Sequence, residues 1–172
     1  MKIHITGNAG SGKSTLAAQV SNALGLPLYG LDAIVWQQNW RTTPAPERNQ
    51  KILALVSQPN WVIDGVSQAV RGEADVVVFI DRHPLHCVWR ALRRNRAYLF
   101  KPRPGLAKGC IEIKILPTLL AMIFRFNRQA RPNILMSIAD KPHVVLRTDA
   151  DLAVFLADLK SKRTAVPAFQ QS

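Results

Sequence analysis

The chain has 172 residues, 48% of them apolar and 20% charged, which is enough apolar material for one core and too much for a disordered chain. Lys and Arg outnumber Asp and Glu 23 to 11, and the resulting formal charge of +12 calls for an anionic partner. No apolar run approaches the ~18 residues of a membrane span, and Ile3 to Thr6 is too short for a signal-peptide core, so export is excluded as the default and a cytoplasmic location is expected. Cys87 and Cys110 lack CxxC spacing and read as buried thiols of a reducing compartment.

In chain order, Lys2 to Thr6 predicts a strand, followed by a glycine-bearing loop and a helix from Ser14 to Leu24, whose Leu16, Ala17, Val20 and Leu24 share one face. Gly25 and Pro27 end that helix, and Leu28 to Leu31 predicts a second strand closing at Asp32. Residues 33–45, with Trp36 and Trp40, read as irregular or weakly helical. Pro46 to Ser57 predicts a helix, Trp61 to Asp64 a third strand, Asp75 to Ile80 a fourth and His143 to Arg147 a fifth. Strands alternating with helices imply a parallel α/β sheet. Between the fourth and fifth strands, a helix is expected from Pro84 to about Leu99, with Leu85, Val88, Trp89, Leu92 and Leu99 buried. Lys101 to Gly109 reads as a lid loop, Leu116 to Phe124 as a second apolar stripe, and Asn133 to Ala139 as a third helix. The whole is expected to be one domain, 1–172, with a lid insertion at about 96–131. The last ten residues read as frayed.

Charge is concentrated in that insertion. From Arg82 to Arg131 there are twelve basic residues and one acid, Glu112, while the rest of the chain carries eleven basic and ten acidic side chains. A segment so one-signed repels itself unless phosphates or another polyanion face it.

The strongest chemical motif is Gly7-Asn8-Ala9-Gly10-Ser11-Gly12-Lys13-Ser14, the GxxxxGK[ST] phosphate loop, set between a strand and a helix as its mechanism requires. Its glycines let successive N–H groups converge on phosphate oxygens at a helix N-terminus. Lys13 is expected at the β- and γ-phosphates and Ser14 on Mg²⁺. Three aspartates close strands at the edge where parallel sheets bind ligands. Asp64 is a direct or indirect Mg²⁺ partner or a turn cap. Asp81 is a cap or a metal-side carboxylate. Asp32 is placed to orient or deprotonate an acceptor hydroxyl, or to hold Mg²⁺. On the helix from Pro84, Arg96 falls within about 20° of Leu85 on the side expected to be buried, which makes it the first candidate for a migrating phosphoryl group, with Arg93 on the flank second. Arg125, Arg128 and Arg131 are partners on the return limb. Trp36 and Trp40 read as a ring-stacking pair or as core, with Arg41 beside them for an acceptor phosphate and Arg71 as a further candidate. The histidines read as structural.

This order of motifs resembles the adenylate kinase-like branch of P-loop kinases and, more closely, the bacterial proteins labelled DNA topology modulation protein (FlaR-related). The resemblance rests on Met1-Lys2-Ile3-His4-Ile5 before the loop, Leu31-Asp32-Ala33 with Trp36 and Trp40, Trp61-Val62-Ile63-Asp64-Gly65, Phe79-Ile80-Asp81 with Pro84, and the run Arg90 to Arg96. It covers roughly residues 1–160. It implies a five-stranded parallel sheet in 2-3-1-4-5 order, ATP and Mg²⁺ as cofactors, and an Arg-rich lid. It carries Gly12, Lys13, Ser14 and Thr15 to ATP, Asp32 to the acceptor, Asp64 to the second carboxylate, and Thr148-Asp149-Ala150 to the adenine. Two departures stand out: Gly65 is followed by Val66 and Ser67 where those proteins commonly continue Asn-Tyr, and the lid has no four-cysteine zinc pattern. The expectation is an ATP-dependent phosphotransferase for a small nucleotide, nucleoside or metabolite. The alternative, drawn from the basic 82–131 segment, is a nucleic-acid-associated ATP-binding protein with NTPase activity or no turnover.

Overall fold

Short runs of Ile, Val and Phe that alternate with helices assemble into one all-parallel sheet, β1 (Lys2–Gly7), β2 (Leu28–Gly30), β3 (Trp61–Asp64), β4 (Val76–Ile80) and β5 (His143–Leu146), in the order β2-β3-β1-β4-β5. The computed structural model describes residues 1–38, 41–98 and 112–164, excluding the side chains of 94–98, 112–116, 160 and 162–164. Trp40, Cys110 and the expected lid loop Lys101 to Gly109 lie outside the described residues.

Both faces of the sheet are covered, which is why β4 reads Val-Val-Val-Phe-Ile without a polar residue. On one face, Ile3, Ile5, Val62, Val78 and Ile80 meet helix α1 (Lys13–Leu24) through Leu16, Ala17 and Val20, and helix α8 (Asp149–Thr164) through Leu152, Phe155 and Leu156. On the other, Trp61, Ile63, Val77 and Phe79 pack on α3 (Ala45–Val56), α4 (Gln68–Glu73) and α7 (Arg131–Ile138) through Ile52, Val56, Val70, Ile134 and Ile138. The four-residue helix α2 (Asp32–Val35) follows β2.

Two helices were absent from the sequence expectation. Helix α4 is short, opened by the Ser67 hydroxyl accepting from the Val70 N–H. Helix α8 opens with a capping box: the Asp151 N–H donates to Thr148 Oγ1 at 3.0 Å, and the Asp151 carboxylate accepts from the N–H groups of Arg147 and Thr148 at 2.7 and 2.9 Å. Those donors hold the Asp151 carboxyl below its ordinary range.

The limb between β4 and β5 also differs from expectation. Helix α5 (Pro84–Tyr98) is answered by α6 (Glu112–Arg125), which runs through a π-helical turn, Phe126–Ala130, directly into α7. The Arg131 N–H reaches the Phe126 carbonyl five residues back, immediately before Pro132. A proline ring clashes with the carbonyl four residues earlier, and the wider turn makes room for it.

The face of α5 is corrected outright. Leu85 and Trp89, expected inside, are 62% and 56% exposed, and Leu92 is exposed too. The residues facing inward are Cys87 and Ala91, packed with Ile123 of α6 and Ala9. Small side chains are buried here because α5 lies close on the backbone of the loop after β1, a separation no large residue would permit. Burial also pushes the Cys87 thiol up from its ordinary range.

His4 is fully buried on β1, where its Nε2 donates to the Gly65 carbonyl at 2.9 Å and its Nδ1 has no hydrogen-bond partner. Burial, with the nearby positive charge of Arg71, lowers its pKa from 6.5 to about 3 against the smaller opposing effect of the Gly65 bond. A histidine neutral in the fold and protonated in the unfolded chain makes stability fall as pH drops below 6.5, with the loss continuing until the folded-state value near 3 is passed. Between pH 6.5 and 5, above most carboxylate titration, unfolding free energy should fall by about 1 kcal/mol per pH unit. Urea titrations of the parent and of His4→Gln across that range check this. The variant should show a shallower slope, and equal slopes would remove His4 as the cause.

Candidate active site

The loop from Gly7 to Gly12 joins the central strand β1 to α1, at the C-terminal edge of the sheet. Gly10 and Gly12 take φ values of 79° and 98°. At Gly10 the demand is double, since a Cβ there would also enter the van der Waals envelope of the Cys87 carbonyl oxygen on α5. The Ser11 N–H donates to the Asn8 carbonyl at 3.2 Å, and the Ala9 N–H to Asn8 Oδ1 at 2.8 Å. Asn8 in turn donates through Nδ2 to the Ile123 carbonyl at 2.9 Å, so the loop is tied to α6 as well as wedged under α5. Lys13, Ser14 and Thr15 form the first turn of α1, where backbone N–H groups have no acceptor within the helix.

These residues line a cavity of about 880 Å³ with Gly10 and Gly12 at its floor. The opposite wall is α5: His86, Trp89, Arg90 and Arg93. Asp149, at the start of α8, completes it. The candidates Lys13, Ser14, Thr15, Arg93 and Asp149 are thus brought together. Asn8 and Ser11 lie buried behind the lining, Ala9 packs against Cys87, and Gly7 ends β1. The side chain of Arg96 lies outside those described, and the face that recommended it is the exposed one.

Arg90 was not singled out from its run. Its guanidinium lies 3.9 Å from Asp149 and directly over Gly12. Asp149 also pairs with Arg82, whose side chain is buried, so one carboxylate spans two guanidinium groups at the cavity edge. Arg90 follows Cys87 by three positions, the spacing that puts it beside the buried stripe. Correct phasing of α5 would have found it.

The residues expected on the acceptor side do not line this cavity. Gly30 is the parallel partner of Asp64 at the ends of β2 and β3, and the Leu31 N–H donates to the Asp64 carbonyl at 2.8 Å, so Asp32 and Asp64 stand on adjacent strand ends. Asp64 is buried and Asp32 half-buried. Trp36, half-buried, bridges Thr42 across a turn whose exposed Arg41 accepts at its carbonyl from the Gln37 N–H at 2.7 Å. Arg71 is buried and already engaged: its Nε donates to Ser137 Oγ at 3.0 Å and its Nη1 to the Ser67 carbonyl at 3.2 Å. Burial lowers its pKa from the usual arginine range.

Asp81 is a structural anchor in this arrangement. Arg131 grips it with two bonds, 2.7 and 2.9 Å, and Arg147 stands at 3.7 Å, so β4 is tied to the return limb. The side-chain hydrogen bonds to Asp81 raise the Arg131 pKa. Among the described residues no group of three or more His, Cys, Asp and Glu side chains is arranged to hold a metal ion, and no helix is long and apolar enough to cross a membrane.

No protein-family model matches the chain, and no curated protein sequence does so. Solved structures do. A shikimate kinase from Bacteroides thetaiotaomicron is 14% identical over 94% of this chain and 97% of its own, with a TM-score of 0.55. A gluconokinase from Sinorhizobium meliloti 1021, 16% identical over 96% and 92%, and a sugar kinase from Janibacter sp. HTCC2649, 14% identical over 95% and 92%, give TM-scores of 0.49 and 0.48, too loose to add weight. The sheet order and the fit to the shikimate kinase establish the fold of the chain as the α/β fold of P-loop kinases.

Proposed function

We propose that the chain is an ATP- and Mg²⁺-dependent phosphotransferase acting on a small nucleotide, nucleoside or metabolite. The observation that carries this reading is the complete phosphate loop lining one cavity with the arginines of α5. The loop's backbone N–H groups and Lys13 bind the β- and γ-phosphates, and Thr15 adds a hydroxyl at the same helix turn. Ser14 would hold Mg²⁺, with Asp64 at the end of β3 as the second carboxylate, and the ion would supply charge neutralisation on the phosphates. The donor set fits that ion, because Mg²⁺ takes few protein ligands and keeps waters and phosphates, so no all-protein cage is needed. Arg90 and Arg93, and Arg96 from further along α5, supply positive charge where it develops during transfer. Asp149 stands on the adenine side.

The acceptor lies across the β2 and β3 strand ends. There Asp32 orients its hydroxyl or takes the proton, and Trp36 and Arg41 bind its ring or phosphate. Arg71 serves this site only after releasing Ser137. The segment 96–131 acts as the lid that excludes water. Measurement of Mg²⁺-dependent ADP release across nucleoside monophosphates, nucleosides, sugars and hydroxy acids tests the reading. One class of acceptor should stimulate release by at least tenfold over water, and uniform rates across the panel would contradict it.

A second reading, a nucleic-acid-associated ATP-binding protein of the topology-modulation type, is favoured by Arg125 and Arg128, which are exposed and make no ion pair among the described residues. Duplex affinity falling with salt at about −0.9 per phosphate on a log–log plot, together with no acceptor-dependent turnover, would replace the first reading with this one.

A further inference from the structure

Beyond the phosphate loop, the cavity continues along α5, where its wall is aromatic. Trp89 is 56% exposed on this wall, so its indole is open to a molecule in the cavity. It lines the same cavity as Lys13 and Ser14. The guanidinium carbon of Arg93 lies 5.3 Å from the centre of the Trp89 ring, and His86 meets the indole edge-on, with centroids 6.2 Å apart and planes at 77°. The cation covers one face of the indole and the imidazole fixes its edge. The ring is therefore held in place with a face to spare.

We infer that Trp89 is a stacking platform for the heterocycle of the bound nucleoside triphosphate, and that the donor site accepts purine triphosphates as a class instead of ATP alone. The inference rests on the reading that the triphosphate lies in the phosphate loop. Stacking depends on the area of the π-face and tolerates different bases, since every base offers one. Discrimination between adenine and guanine needs polar groups aimed at the base edge, and the charged side chains described on this wall, Asp149, Arg90 and Arg93, already have partners. Asp149 is held by Arg82 and faces Arg90, and Arg93 lies on the indole. Because α5 presents Trp89 outward, away from Cys87 and Ala91, changing it leaves the core untouched.

The test is the dissociation constant of the purified full chain for Mg²⁺-ATP, Mg²⁺-GTP, Mg²⁺-CTP and Mg²⁺-tripolyphosphate, by calorimetry, with Trp89→Leu and Trp89→Phe. Tripolyphosphate fills the loop and carries no base. ATP and GTP should bind the parent within about threefold of each other, with CTP weaker, as stacking area dictates. Trp89→Leu should lose about tenfold or more for ATP and GTP while its tripolyphosphate affinity is unchanged, and Trp89→Phe should recover most of the loss. An equal loss for ATP and tripolyphosphate, no loss for either, or a preference of ATP over GTP beyond about tenfold would overturn the inference. A Lys13→Ala variant separates this from the underlying reading. If that variant binds tripolyphosphate as well as the parent does, the phosphate-loop reading fails and the inference falls with it. If it does not bind, and Trp89→Leu still binds ATP normally, only the inference fails.

Discussion

Lys13→Ala should lose turnover by at least two to three orders of magnitude while its thermal midpoint stays within a degree or two of the parent. The asymmetry follows from where the side chain stands. Lys13 begins α1 and lines the cavity, whereas the residues that hold α1 to the sheet are Leu16, Ala17 and Val20. Removing the ammonium therefore subtracts positive charge from the proposed phosphate site and little from the core. Phosphoryl transfer depends on positioning and charge stabilisation, with little covalent work for the protein, so a single cation at the migrating group carries a large share of the rate. Steady-state ADP release and a thermal melt on the same preparations decide this. Turnover within tenfold of the parent would remove Lys13 from the chemistry.

Gly10→Ala should cost about 2–4 kcal/mol of stability and weaken nucleotide binding at the same time. Gly25→Ala, by contrast, should cost only about 1 kcal/mol and leave binding alone. Both glycines have left-handed backbone, with φ of 79° and 66°, so strain of that kind is common to the two. They differ in surroundings: nothing lies within 4 Å of a Cβ at Gly25, while at Gly10 the methyl meets the carbonyl of Cys87. Backbone cannot swing aside as a side chain does, so either α5 lifts or the loop deforms. Lifting α5 would also strain the bond from Asn8 to the Ile123 carbonyl, since α5 and α6 share the cluster of Cys87, Ala91 and Ile123. Urea denaturation of the two variants measures the difference, and equal losses would show that the contact with α5 carries no weight.

This contact also explains what was legible from residue order and what was not. The phosphate loop is a local motif, complete within eight positions, and the strands are continuous apolar runs, so both were readable. The sheet order followed from resemblance and is borne out. In α5 the large apolar residues, which normally mark the buried side, point the wrong way. Here the helix rides on loop backbone, so Cys87 and Ala91 are inside, Trp89 faces the cavity, and Arg90 stands beside the inner stripe. Helix α8 is announced by Thr148 and Asp151, a capping box three residues apart that can be read directly. The engagement of Arg71 with Ser137 was not readable by any such rule, because the two are 66 positions apart and meet only through the packing of α4 against α7. The same holds for Asp81, whose partner Arg131 comes from the far end of the return limb.

The most direct measurement follows the label from ATP carrying a radioactive γ-phosphate, in the presence of Mg²⁺ and the acceptor that most stimulates ADP release. A phosphotransferase with a water-excluding lid places the label on the acceptor, with little inorganic phosphate formed, and loses both products in Lys13→Ala. Label recovered only as inorganic phosphate, at a rate no acceptor changes, would contradict the account.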